Sequence, residues 1–503
     1  MSLLAIDIGS SRCKGVLFSS SGETLAQSTH SYAPEFSRPY FAEIHPDTFL
    51  DAVTTVSRSI CELHRQDKIE TISLSSHGET LVPVNSVGEP LRSAILNIDT
   101  RAAEEAAWCE QQMGRRHLFE MTGHTAHTMY PVPKLLWLRK HEPRLFQAGS
   151  RFLGVISYIF LRLGLPPYID YSLASRFMAF DIRKKCWSDE ILSLLDMGKD
   201  SLPIPVLAGT IAGKLSPEAA SQLGLSAGTL MIVGGHDQAC GSVGVGVIAS
   251  GKVFDSMGTY ESIAATSDEP QISEDALAYS LNTYCHVIPE KYITLAYFPA
   301  GIMIQWFSDL LHPSNLDRST DTRFSELELL APEQPSGLLV VSHLIGTCNP
   351  DFNPDARGAI LGLTAGSHRG QIYKGILEGI ACELSIMTGM FERTLGGFAD
   401  IYATGGGTLS LLGMRLRAAM TERRFHLMSC PESVCLGGAI LAGVAVGHYA
   451  TIDDAVGEMV REENVFEPDR ELTRVYLPLK KQYVHLNSLL SVFEHPTATR
   501  HMN

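Results

Sequence analysis

The chain has 503 residues, 45% of them hydrophobic and 19% charged, with a formal net charge of −15. That length allows two or more domains, and the apolar content excludes a disordered chain. The acidic balance leaves no general basic surface for a nucleic-acid backbone or an anionic membrane, so a small neutral partner, or an anionic one held by a local site, fits better.

The opening MSLLAIDIGS has no charged n-region or cleavage-like site and runs straight into a strand, so it does not read as a signal peptide and a cytoplasmic protein is expected. LLAIDIG, KGVLFS and ETLAQSTHSY read as three consecutive strands, separated by turn residues at Ser10-Ser11 and Ser19 to Gly22. Helical patterns follow at Pro46 to Arg65, Thr100 to Gln112 and Pro133 to Lys140. Strand signals return at IETISLSS, before His77, and at TLMIVGG, Thr229 to Gly235. Short apolar strands alternating with longer helical patterns predict an α/β architecture. The longest apolar run, Cys435 to Gly447, is shorter than the roughly 20 residues of a membrane span and reads as a buried helix. The ten cysteines lack paired metal spacing, and the Cys430 and Cys435 pair has no His cluster beside it, so they read as buried thiols.

Within the first strand, Asp7 is a carboxylate in an otherwise buried segment, followed by Gly9-Ser10-Ser11. KVFDSMGTYESIAAT, Lys252 to Thr266, repeats the layout of strand, Gly-hydroxyl turn and strand, with Gly258-Thr259 where Gly9-Ser10 stands. The two copies lie about half a chain apart, as expected for one domain fold used twice across a cleft. A Gly-hydroxyl turn exposes backbone N–H groups to anionic oxygens, so two such turns suit a polyphosphate held from both sides. Asp7 would then be placed to hold Mg²⁺, which prefers one or two carboxylates plus phosphate oxygens, and Lys14 offers a positive charge on the next strand. The alternative is an Asp-x-Gly turn whose carboxylate only caps backbone amides.

VGGHDQACGSVGVGV, Val233 to Val247, follows a strand with two glycines, then His236, Asp237 and Gln238, then a small-residue segment able to pack as a tight helix. An Asp at such a strand-to-helix switch suits a base that accepts a hydroxyl proton in phosphoryl transfer. The glycines lie after the turn in reversed order, which argues against a dinucleotide fingerprint. His236 has no second His at ligand spacing and reads as a packing or hydrogen-bonding residue. YATGGGTLSLLGMRL, Tyr402 to Leu416, ends a strand in Gly405-Gly406-Gly407 and opens a helix, presenting bare backbone and a positive helix end to a nucleotide.

Taken in order, these segments resemble the FGGY carbohydrate kinases, sugar and polyol kinases of the actin and hexokinase superfamily, over essentially the full chain. Further landmarks are Asn97 to Arg101, MYPVPKLLWLRKH from Met129, DYSLASRFMAFDIRKKCWSD from Asp170, ARGAILGL from Ala356, LEGIA from Leu377 and ESVCLGGAILAG from Glu432. The resemblance implies two ribonuclease-H-like domains flanking a deep cleft: residues 1–248 with the substrate site, Mg²⁺ and base, and residues 249–503 with the nucleotide. It implies ATP with Mg²⁺ and transfer of the γ-phosphoryl to a hydroxyl of an open-chain sugar or polyol. Asp237 would be the base and, with Asp7, a metal-side carboxylate. Ser10, Ser11, Lys14, Gly258 and Thr259 would meet phosphate, and Gly405 and Gly406 would flank the adenosine. The cleft should close about a hinge near Ala249 to Lys252.

At the substrate pocket the pattern departs from both named subgroups. His77, Gly78, Glu79, Asp99, Met129, Asp237 and Gln238 are the expected substrate contacts. Glu79 resembles the glycerol kinases, but the Arg that precedes their Glu is absent; xylulose kinases resemble Q-M-H-G there. Met129 stands where glycerol kinases place a Tyr, and Asn97 replaces the Trp usual before Asp99 and Arg101. Glu79 could instead be a surface cap or turn residue. Ala419 occupies a place where the family usually has an Asp. Lys134 and Trp137 read as packing residues, and Asp170 and Arg176 as candidates for the cleft rim. A catalytically altered sugar- or nucleotide-binding module is the alternative to a kinase. The expected partner is a small sugar or polyol, with no nucleic acid and no membrane, and the sequence is compatible with a homodimer.

Overall fold

The computed structural model describes residues 2–65, 68–311 and 320–490. Its first sheet is built on β1 (Ser2–Ile8), β2 (Arg12–Ser19), β3 (Thr24–Ser31), β4 (Ile69–Ser76), β5 (Ile211–Lys214) and β6 (Leu230–His236), in the order β5-β6-β4-β1-β2-β3. β1 is buried along nearly its whole length, as a central strand covered on both faces must be, whereas β3 alternates toward solvent at the sheet edge. The expected three-strand meander is present, with β1–β2 and β2–β3 antiparallel. β1, β4 and β6 are mutually parallel, so their C-terminal ends meet along one edge of the sheet.

The second sheet comprises β7 (Lys252–Met257), β8 (Tyr260–Ser267), β9 (Asn282–Cys285), β10 (Tyr292–Pro299), β11 (Asp400–Thr404), β12 (Arg424–Met428) and β13 (Glu462–Phe466). Its order is β9-β10-β8-β7-β11-β12-β13. Setting β7 on β1, every neighbour matches in partner and direction: β8 and β10 antiparallel on one side, β11 and β12 parallel on the other, β13 antiparallel at the end. Only β9 is extra. The short repeat read at Gly9 and Gly258 is thus one corner of a duplicated ribonuclease-H-like topology.

Five helices matter for the site: α1 (Asp47–Leu63), α2 (Pro131–His141), α3 (Tyr171–Ser175), α4 (Asp237–Gly244) and α5 (Ser433–Ala445). In α1 the buried Phe49, Leu50, Val53, Val56 and Ile60 fall at helical spacing and cover the first sheet. α4 follows β6 and α5 follows β12, its counterpart in the second sheet, and the two helices pack directly together. A Cβ on Gly244 would sit 1.9 Å from the Ser433 carbonyl oxygen, and one on Gly437 1.9 Å from that of Cys240, so only glycine allows this approach. Around the crossing, Leu3, Ala5, Val243, Phe254, Leu436 and Ile440 form a core shared by both sheets. The apolar run from Cys435 is therefore a buried helix, and among the described residues no helix is long and apolar enough to cross a membrane. All ten cysteines are free thiols.

Candidate active site

The shared edge where β1, β4 and β6 end gathers Asp7, the 76–79 turn and Asp237 without any further device, because side chains just beyond parallel strands converge there. Asp7 lies opposite Lys14 of β2 and Ser75 of β4. The turn after it closes through its own backbone, Gly9 N–H to the Arg12 carbonyl at 2.9 Å. Asp7 Oδ1 is buried with no hydrogen-bond partner, so the capping alternative does not describe it. Burial pushes the Asp7 carboxyl up to about 8, with Asp237 adding to the rise and Lys14 opposing it.

Asp237 is the first residue of α4. Its Oδ1 accepts the Gln238 amide N–H at 2.6 Å and lies 3.3 Å from His236 Nδ1. Burial first, then the charge of Glu79, push it up to about 7. Two carboxylates, with the Asp237 charge raising the pKa of Asp7 and an Asp7 oxygen buried without a partner, suit a hard divalent cation such as Mg²⁺. Among the described residues no cluster of three or more His, Cys, Asp or Glu could hold a metal, so phosphate oxygens and water would have to complete such a shell.

The 77–80 turn is held from three sides. His77 Nδ1 bonds the Ile8 carbonyl at 2.9 Å and Nε2 bonds Thr80 Oγ1 at 2.7 Å. Burial lowers its pKa, so the neutral ring donates from Nδ1 and accepts from Thr80. With both nitrogens engaged, His77 braces the turn. Gly78 has no room for a side chain larger than hydrogen without pressing His236 and Arg176, at 3.0 and 3.1 Å from a built Cβ.

Glu79 adopts φ +65°, a left-handed conformation uncommon for a non-glycine residue. The turn reading holds, but the residue is buried. Lys134 Nζ of α2 donates to the Glu79 carbonyl at 2.9 Å, and Arg176 donates from Nε and Nη2 to Glu79 Oε1. The guanidinium that the sequence lacks beside Glu79 thus arrives from just after α3. Arg176 is 2% exposed and sits deep beside Glu79 instead of on the rim, with the Tyr130 and Tyr284 ring centroids 5.3 and 5.1 Å from its Cζ.

Asp99 is engaged by Arg101, Nε to Oδ1 at 2.8 Å and Nη2 to Oδ2 at 2.6 Å, and by the Ala42 N–H at 2.7 Å, so it braces the fold. Asp170 caps α3 through the Ser172 and Leu173 amides and is not a rim residue. The Lys14 ammonium, expected at phosphate, is paired with Glu432 oxygens at 2.7 and 2.8 Å. Met129 is half-buried, its Sδ 3.8 Å from the Tyr297 hydroxyl, and Gln238 Oε1 is buried without a partner. Ser10 is half-buried and Ser11 exposed at the first turn, and Gly258 and Thr259 are exposed at the second. Gly405, at φ +98°, brings its turn against β7: a Cβ there would sit 2.6 Å from the Met257 carbonyl oxygen, while Gly406 is open. Ala419 is buried in the helix Leu411–Thr421, its carbonyl taken by Thr473 Oγ1.

Sequence reasoning missed the aromatic wall. Tyr284 and Tyr297, from β9 and β10 of the second half, approach Arg176 and Met129, and Asn282 Oδ1 accepts the Tyr130 hydroxyl at 2.6 Å. No local motif marks these residues, because their partners lie more than a hundred positions away in the chain.

The profile of the FGGY family of carbohydrate kinases, N-terminal domain, matches residues 2–244, and that of its C-terminal domain matches residues 255–446. A gluconokinase of Bacillus licheniformis is 27% identical over 500 residues, covering 97% of this chain and 96% of its own. A xylulose kinase of Bacillus subtilis (strain 168) is 26% identical over 502 residues, covering 98% and 99%. Among solved structures, a gluconate kinase from Lactobacillus acidophilus superposes with TM-score 0.88 at 24% identity, covering 98% of this chain and 99% of that one. A Plasmodium falciparum glycerol kinase with ADP gives TM-score 0.84 at 19% identity and the same coverage.

Proposed function

The chain belongs to the FGGY family of carbohydrate kinases, and from that premise we propose that it transfers the γ-phosphoryl of ATP to a hydroxyl of a small open-chain sugar or polyol. The observation that carries this reading is the meeting of Asp7 and Asp237 at the C-terminal edge of parallel strands, Asp7 with a buried oxygen left unbonded. Asp237 takes the proton of the acceptor hydroxyl as its oxygen forms a bond to the γ-phosphorus and the bond to the ADP oxygen breaks. Asp7 and Asp237 would hold Mg²⁺, which when bound neutralises charge on the phosphates. The turns at Ser10-Ser11 and Gly258-Thr259 would offer backbone N–H groups to phosphate, and the adenosine would lie at the Gly405-Gly406 turn, where Gly405 packs against β7 and Gly406 leaves open space. The Lys14 ammonium spends two of its three N–H donors on Glu432, which leaves one for a phosphate. Closure about 249–252 would exclude water and favour transfer to the acceptor over hydrolysis. The test is acceptor-dependent ADP release with ATP and Mg²⁺ across ketoses and polyols, set against Asp237→Asn.

A further inference from the structure

The Glu79–Arg176 pair lies beside His236, the residue that precedes Asp237: a Cβ built on Gly78 would meet the His236 ring at 3.0 Å and Arg176 at 3.1 Å. Two polar atoms of the pair remain uncommitted. Arg176 Nη1 is buried with no hydrogen-bond partner, and among the described residues no hydrogen bond is recorded to Glu79 Oε2, since Nε and Nη2 both reach Oε1. The tyrosine rings flanking the guanidinium and the Lys134 bond to the Glu79 carbonyl hold the pair in place. We propose that Arg176 and Glu79 together select the acceptor class, Nη1 donating to and Oε2 accepting from hydroxyls of a neutral polyhydroxylated chain, and that they reject a sugar acid presenting a carboxylate there.

This rests on the kinase reading and deepens it, because the relatives include both gluconokinases and xylulose kinases. A hydroxyl both donates and accepts, so it satisfies both free atoms; a carboxylate only accepts and would leave Glu79 Oε2 unpaired. The positive charge of Arg176 is already balanced by Glu79, so a carboxylate meets no uncompensated cation. Gln238 Oε1, next to the base, is a further buried oxygen without a donor.

The test compares chain-matched acceptors, pentitols and ketopentoses against pentonates and hexitols against D-gluconate. Coupled ADP release and thermal shift are read for the wild type, Arg176→Lys and the charge-free double variant Glu79→Gln/Arg176→Met, which keeps the test readable if a lone charge unfolds the protein. The wild type is expected to favour neutral chains in kcat/KM by about 10³-fold or more. Folded variants should narrow that ratio at least tenfold while KM for ATP stays constant. A wild type that prefers an aldonate, or a ratio unmoved in folded variants, overturns the selection and leaves the kinase reading standing. Neutral chains that raise Tm without any ADP release would support the selection and sink the kinase reading. No ADP release and no Tm shift with any acceptor overturns both.

Discussion

The Lys134 ammonium bonds the carbonyl oxygen of Glu79 at 2.9 Å, and the same nitrogen reaches the carbonyls of Leu96 and Met129 at 2.8 and 2.6 Å. One buried side chain thereby ties α2 to the turn of Glu79, the Leu96 segment and the approach to Met129. Lys134→Met would leave three carbonyls without that donor, and is expected to cost about 2–4 kcal/mol. In chemical denaturation the midpoint should fall, and kcat/KM for the acceptor should drop more than that for ATP. Unchanged stability would show that water replaces the ammonium.

Asp7→Asn should separate turnover from folding. Because burial and the Asp237 charge both push the Asp7 carboxyl up, removing that buried carboxylate should leave the ligand-free Tm unchanged or higher, while the Mg²⁺ needed for half-maximal rate rises and kcat collapses. A variant with full turnover would exclude Asp7 from the metal side.

Asp255, on β7, supplies a pH test. Its carboxyl is fully buried with neither oxygen hydrogen-bonded, and the nearby Arg417 is bound to Glu261, Nε to Oε1 at 2.9 Å and Nη2 to Oε2 at 2.5 Å. Burial, then the Glu261 charge, push the Asp255 pKa well above the usual carboxylate range. A raised folded pKa means that stability is fully present below the unfolded value, about 4, and is lost as pH rises toward the folded one. Asp255→Asn should therefore change Tm little near pH 4 and raise it relative to wild type at about pH 8. A variant destabilised equally at both would mean that the carboxyl makes a needed contact.

Gly437→Val would drive side-chain atoms into the Cys240 carbonyl at the crossing of α4 and α5. Overpacking of this kind costs about 1–3 kcal/mol or more, and here it also displaces the helix that begins with Asp237. Loss of both Tm and activity is expected; a normal Tm would mean that the helices can separate without penalty.

What was legible in the sequence was local. The AIDIGSS and FDSMGTY corners, the strand-to-helix switch at Asp237 and the glycine turn at Gly405 each carry their signal within about a dozen residues, so apolar periodicity and turn chemistry expose them. What was not legible was where polar side chains find partners elsewhere in the chain. Lys14 meets Glu432, 418 positions away, His77 bonds Ile8, and Asp99 bonds the Ala42 amide. Residue type marked these groups as available, whereas tertiary contact decides whether they are. Arg176 erred the other way: it read as a rim residue, and its pairing with Glu79, 97 positions distant, appears only once the chain is folded.

The most direct measurement is coupled ADP release with ATP and Mg²⁺ across ketopentoses, deoxyketohexoses, pentitols, tetritols and glycerol, in wild type and Asp237→Asn. The account predicts release that depends on at least one acceptor and falls about 10²–10⁴-fold in the variant, with its fold intact. Release that needs no acceptor, or that survives in Asp237→Asn, would contradict it.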